Sequence, residues 1–225
     1  MTDIKYRSDM AVEYIQHMGS DEMVARSARV STGRDKLKQD RVEGLIGYLV
    51  KAGHTSTLEH CALTVRVNVP VFVHRQIMTH RTISKNSESA RYTVLKPDFY
   101  APEFGRPLFN LGSSAHPEFE ENDNKTDHRL VVGSQKVAYK EAWYQYEKLV
   151  NAGIANEVAR NVLPVGVYTS AYLTANLLGW FNFLRLRDGQ EGHPQAEIVE
   201  VALKIEKIIS DLYPITYKAW CDSRV

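Results

Sequence analysis

The chain has 225 residues, 44% hydrophobic and 24% charged, with a formal net charge of +1. That length can bury one substantial core, and the composition is that of an ordinary soluble globular protein. The near-zero charge argues against a nucleic-acid surface, which needs a basic footprint. No apolar run approaches the roughly 20 residues that span a bilayer, and the opening MTDIKYRSDMAVEYI lacks the apolar centre of a secretory signal. Cys61 and Cys221 stand far apart and form no CxxC pair, so a reduced, cytoplasmic setting is expected.

Residues 4–15 read as a short strand and turn. Ser20-Asp21 can cap a helix running to about Val30, with Glu22 facing the positive end of its dipole. Residues 37–52 place Val42, Leu45, Ile46, Leu49 and Val50 on one helical face, with Gly53 as C-cap. A polar loop follows, GHTSTLEH, and then ALTVRVNV (62–69), whose alternation predicts a strand with Arg66 and Asn68 on the opposite face. Pro70 ends that strand and opens a helix with Val71, Phe72, Val73, Ile77 and Met78 as buried candidates. Residues 82–89 have loop chemistry, short hydroxyl and amide side chains. The basic helix end running into this loop reads as an anion site.

From Asp98 to Asp127 no period is sustained, so the segment reads as an irregular, mobile loop. Helices are expected at 128–151, with Val132, Val137, Trp143, Tyr146 and Leu149 among the apolar positions, and at 155–162. A strand is expected at 165–173, then helices at 176–186 and 195–213, the last closing the chain. The whole is one α/β (α+β) domain, residues 1–225, a small, mostly antiparallel sheet flanked by helices.

Taken singly, the polar residues of these segments are ordinary: an exposed His-Arg pair, loop histidines, an Arg160 that could pair with Glu157 on its own helix. Several segments in one order are not. Thr79-His80-Arg81, seven residues, then Ser89-Ala90-Arg91-Tyr92 resembles the Arg-His-Arg-x7-Ser signature of the flavin-dependent thymidylate synthases. ARVS (28–31), GHTSTLEH (53–60), VPVFVHRQ (69–76), EVARNVLPVGVYT (157–169), NFLRLR (182–187) and HPQAE (193–197) resemble further segments of that family.

The resemblance implies a homotetramer that binds FAD where subunits meet and methylates C5 of dUMP. The carbon comes from 5,10-methylenetetrahydrofolate, NADPH supplies electrons, and no enzyme nucleophile or metal is involved. By match, Gln76, Thr79, Ser87, Glu88, Ser89, Ala90, Arg91 and Arg160 hold the nucleotide. Arg187 faces the uracil ring and is the catalytic candidate, a fixed charge stabilising negative charge on the base. Ser31, Ser56, Glu59, Thr79, His80, Arg81, Asn86, Asn176, Asn182 and His193 fall at FAD positions, and His54 where folate and nicotinamide approach.

Four features depart from the family pattern. Thr79 replaces the first signature Arg, and Leu178 an Arg common after Asn176. Ser87-Glu88 stand where Glu-Leu is usual, and the stretch from Arg187 to His193 is longer by two residues. An atypical branch of the family, from nucleoside-antibiotic pathways, methylates UMP, and the small Thr79 or relocated Glu88 suits a ribose 2′-hydroxyl. A degenerate relative that binds flavin or nucleotide without methyl transfer is the other alternative.

Overall fold

The computed structural model describes residues 3–33, 41–113, 116–122 and 124–224. It is a mixed helix and sheet structure whose chain divides into two compact units. The first comprises residues 1–11, 68–77 and 87–171, the second residues 12–67, 78–86 and 172–225.

In the first unit, β1 (Lys5–Arg7) pairs in parallel with β5 (Asp98–Tyr100). β6 (Gly105–Asn110) and β7 (Phe119–Asn122) form an antiparallel pair. The expectation of an irregular 98–127 segment is corrected by these three strands. They escaped notice because β5 takes its partner from the N-terminal end of the chain, and Pro107 interrupts the pattern of β6. A proline is tolerated there because β6 has a partner on one side only.

The core of this unit is aromatic. α4 (Lys125–Asn151) buries Tyr139, Trp143 and Tyr146 against Phe99, which stacks on Tyr139 at 4.8 Å. Of the apolar positions on this helix, Trp143 and Tyr146 lie in the core, whereas Val137 is 71% exposed. α3 (Val71–Met78) buries Val73 and Ile77, while Val71 and Phe72 are half-buried and Met78 is exposed. α5 (Asn156–Ala159) runs into a 3-10 turn at Arg160–Val162.

Residues 165 and 166, expected in a strand, instead form a turn, and Val167 makes an isolated antiparallel bridge to Phe99; the carbonyls of all three serve other elements. Val167 O and Val165 O accept from the first N–H groups of α3, and Gly166 O accepts from Tyr100 N. A side chain at Gly166 would collide with the Tyr139 hydroxyl at 2.3 Å.

In the second unit, α1 (Asp21–Arg29) starts at the expected Ser20 cap, whose hydroxyl accepts from Met23 N. α2 is Val42–Lys51, and residues 37–40 of its expected span lie outside the described residues. The GHTSTLEH segment is wound into a 3-10 turn, Thr55–His60. A four-stranded sheet, most of whose residues belong to this unit, runs in the order β2 (Ala11–Met18), β3 (Ala62–Pro70), β8 (Tyr168–Asn176), β4 (Ser84–Ser87). β4 replaces part of the expected loop: its polar side chains carry no strand signal, and its place at the sheet edge comes from pairing with β8.

α6 (Leu177–Arg187) and α7 (Ala196–Leu212) pack on each other, and Trp180 of α6 donates its indole N–H to Leu63 O at 3.0 Å. α8 (Pro214–Asp222) follows the helix expected to close the chain. Among the described residues no helix is long and apolar enough to cross a membrane.

Candidate active site

In the second unit, three residues of the sequence-derived set meet. Arg187, the last residue of α6, donates from Nε to His80 Nε2 at 3.1 Å and from Nη2 to Thr79 Oγ1 at 3.3 Å. His80 is buried and its ring packs edge-on against Phe183 at 4.9 Å. Burial first, then the charges of Arg187 and Lys85, hold its imidazole down at about 4. The ring is therefore neutral near pH 7 and presents Nε2 as an acceptor. Arg187 is half-buried, and burial lowers its pKa from the usual arginine value, although a guanidinium stays charged. The outcome is a fixed cation steered by two neutral acceptors.

Lys85, which sequence reasoning passed over, secures this corner: its Nζ donates to His80 O at 2.7 Å and to Met78 O at 3.1 Å. Its signal was only a lysine in the signature spacer. Asn176 caps α6, its Oδ1 accepting from Gly179 N at 2.8 Å. Asn182 and the family departure Leu178 line a cleft of about 400 Å3 together with Arg185 and Arg224. His193, Asn86, Arg81 and Glu59 are exposed in this unit.

A larger cleft of about 1170 Å3 lies between α1, α2 and the 3-10 turn after Gly53. Ser31, His54 and Ser56 line it, joined by Ser27, Arg29, Arg41 and Tyr48, which sequence reasoning did not single out. Arg29 belongs to the ARVS motif, so a signal for it was present.

The first unit holds the other group. Ser87 Oγ hydrogen-bonds to His74 Nε2 at 2.8 Å, and Glu88 N donates to Ser170 O at 2.8 Å. Ser89 opens a turn: its carbonyl accepts from Tyr92 N at 3.0 Å, and its hydroxyl accepts from Arg91 N at 3.4 Å. Arg91 Nε donates to Glu157 Oε2 at 2.8 Å, three residues before Arg160. Glu157 thus meets a guanidinium from the signature turn. Gln76 is half-buried on α3, and Ala90 and Arg160 are half-buried too.

Comparison with known proteins decides the relationship. A family model described as thymidylate synthase complementing protein matches residues 13–215. A flavin-dependent thymidylate synthase of Streptomyces coelicolor is 40% identical over 229 residues, spanning 96% of this chain and 93% of that one. The chain belongs to the flavin-dependent thymidylate synthase family.

A flavin-dependent thymidylate synthase of Tropheryma whipplei is 36% identical, covering 97% of this chain and 95% of that protein. Among solved structures, the UMP/dUMP methylase PolB of Streptomyces cacaoi bound with 5-Br UMP superposes with a TM-score of 0.91 at 37% identity. That match covers 98% of this chain and 97% of PolB. The same enzyme bound with 5-Br dUMP gives a TM-score of 0.90 at 39% identity, covering 99% of each chain.

The larger cleft fits the family's flavin nucleotide in its donor set. Arg29 and Arg41 offer guanidinium to a diphosphate, Ser27, Ser31 and Ser56 offer hydroxyls, and the Tyr48 and His54 rings lie 6.3 Å apart. The Cys61 thiol is unsuited to attack: it is buried, its Sγ donates to Ser20 O at 3.6 Å, and burial pushes its pKa up.

Proposed function

We propose that the protein methylates C5 of a uridine monophosphate, of the dUMP-to-dTMP type. 5,10-Methylenetetrahydrofolate is the carbon donor, reduced FAD the hydride source and NADPH the reductant. The observation that carries this reading is the Arg187 corner, where a guanidinium is steered by neutral His80 and by Thr79. Set beside the uracil ring, that charge favours ionisation at N3 and stabilises negative charge as C5 becomes nucleophilic.

Gln76, Ser87, Ser89, Ala90, Arg91 and Arg160 would take the sugar-phosphate. Arg91 and Glu157 are both about half exposed, at 52% and 51%, so their ion pair is weak and readily exchanged for a phosphate. FAD would be held by Ser31, Ser56, Glu59, Thr79, His80, Arg81, Asn86, Asn176, Asn182 and His193, with His54 where folate and nicotinamide approach. When bound, the flavin supplies the hydride that brings the transferred carbon to the methyl level. We further propose that residues 1–225 act as one domain, in a cytoplasmic homotetramer with FAD at its subunit interfaces; light scattering checks the assembly.

The named activity of PolB favours a second reading, in which UMP is accepted as well as dUMP. Thr79 is small and exposed, and Glu88 is exposed in the signature turn; either one suits a ribose 2′-hydroxyl. The test is a side-by-side turnover of UMP and dUMP with FAD, NADPH and methylenetetrahydrofolate. Product from UMP supports the second reading, and product from dUMP alone dismisses it. A yellow protein that NADPH bleaches but that releases no folate product is instead a degenerate flavin binder.

A further inference from the structure

The end of α8 reaches the loop that follows Arg187. Arg224 Nη1 hydrogen-bonds to Asp188 Oδ2, its Nη2 donates to Asp188 Oδ1 at 3.3 Å, and its Nε donates to Glu191 Oε1 at 3.2 Å. The Asp188 side chain is 0% exposed and that of Arg224 only 9%. The guanidinium lies 4.5 Å from the centre of the Trp220 ring, and Trp220 stacks on Phe181 of α6 at 4.7 Å and 7°. One side chain therefore ties together α8, α6 and the 188–193 loop.

Asp188 needs this partner. It is the C-cap of α6, where the helix carbonyls already concentrate negative charge, and a buried carboxylate there is unfavourable unless a cation meets it. The backbone beyond supplies little stiffness of its own. Gly189 and Gly192 stand at φ 84° and 90°, conformations that side chains rarely adopt, in the stretch that is two residues longer than the family pattern. What fixes the stretch is Asp188 Oδ1, which accepts from Gln190 N at 3.0 Å, and Glu191, which Arg224 and Arg185 both hold.

We propose that Arg224 is a positioning residue for the reaction. Its two-pronged hold on Asp188 and its bond to Glu191 fix the C-terminal end of α6, and so the direction of the Arg187 guanidinium. The inference rests on the reading of Arg187 as the uracil-facing group. Arg224 belongs to none of the matched motifs, and its role arises from chain distance: it meets Asp188 across 36 residues.

The test compares Arg224→Ala, Arg224→Lys and, as a reference on the preceding helix α8, Lys218→Ala in the full chain loaded with FAD. Arg224→Ala is expected to raise the nucleotide KM and Kd about tenfold while kcat stays within about threefold. Arg224→Lys should recover part of the loss, added guanidinium ion should restore Arg224→Ala, and Lys218→Ala should match wild type. An unchanged nucleotide KM in Arg224→Ala overturns the proposal. So does a loss of kcat and flavin that tracks the fall in Tm and ignores guanidinium.

Should Arg224→Ala not fold, Glu191→Gln removes one contact alone and should raise nucleotide KM by about threefold; wild-type KM there counts against the proposal. Arg187→Ala is measured alongside. If it binds nucleotide normally, the reading of Arg187 itself fails. If it binds weakly while Arg224→Ala is unaffected, only the positioning role fails.

Discussion

His80 is a base whose proton has been priced out by its surroundings, and that has a consequence for stability. Its ordinary value of 6.5 holds in the unfolded chain, whereas the folded ring titrates at about 4. Between those values the unfolded state binds the proton and the folded state does not, so stability is lost as pH falls from 6.5 towards 4. The loss approaches roughly 3 kcal/mol. Thermal melts at pH 7 and pH 4.5 should therefore show a larger drop in Tm for wild type than for His80→Gln. Equal drops would mean that His80 is not the group being titrated.

Thr79 is the neighbouring case. Its hydroxyl accepts from Arg187 where the family signature has an arginine, so a neutral acceptor replaces a second cation beside the first. Thr79→Val, which keeps the shape and removes the oxygen, should raise nucleotide KM about tenfold, the equivalent of ~1.4 kcal/mol. An unaltered KM would show that His80 alone steers the guanidinium. Residues 79, 80 and 187 were each legible in the sequence as candidates. Their convergence was not, because the Arg187 contacts span 107 and 108 positions and no local pattern encodes them.

Among the elements, α8 shows how a cap can be legible in one role and hidden in another. Ser20-Asp21 announces the start of α1. Yet the Asp21 carboxylate is turned to α8, accepting from Ile215 N at 3.0 Å, Thr216 N at 2.9 Å and Thr216 Oγ1 at 2.6 Å. It is buried and sits at the positive end of that helix, so its loss would leave three donors without their acceptor. Asp21→Ala should cost about 2–4 kcal/mol in denaturant unfolding. A change below about 1 kcal/mol would reassign α8 to packing alone.

α1 and α6, each with a side-chain cap, and α7, with its apolar stripe, were readable from sequence within a residue or two. β4, β5 and the 165–166 turn were not, because their hydrogen-bond partners come from distant parts of the chain. The aromatic composition of α4 was readable but not its direction: Tyr139, Trp143 and Tyr146 outcompete Val137 for the core because they bury more apolar surface.

At the scale of the whole molecule, α/β class and family were legible because motifs recur in order along most of the chain. The division into two units was not, since the chain passes between them after residues 11, 67, 77, 86 and 171. Each passage falls inside a regular element, in β2, β3, α3, β4 and β8 in turn, where no break in the sequence pattern marks it.

Each unit is assembled from three separate pieces of chain. No single cut can release either as an autonomous protein, since any fragment long enough to hold all of one carries most of the other. Expressed alone, residues 1–171 should lack a cooperative thermal transition by calorimetry. A gene encoding this fold can be lengthened in its loops or recombined as a whole, but it offers no internal seam at which half could be exchanged for a homologous half without also rebuilding the strands that thread through it.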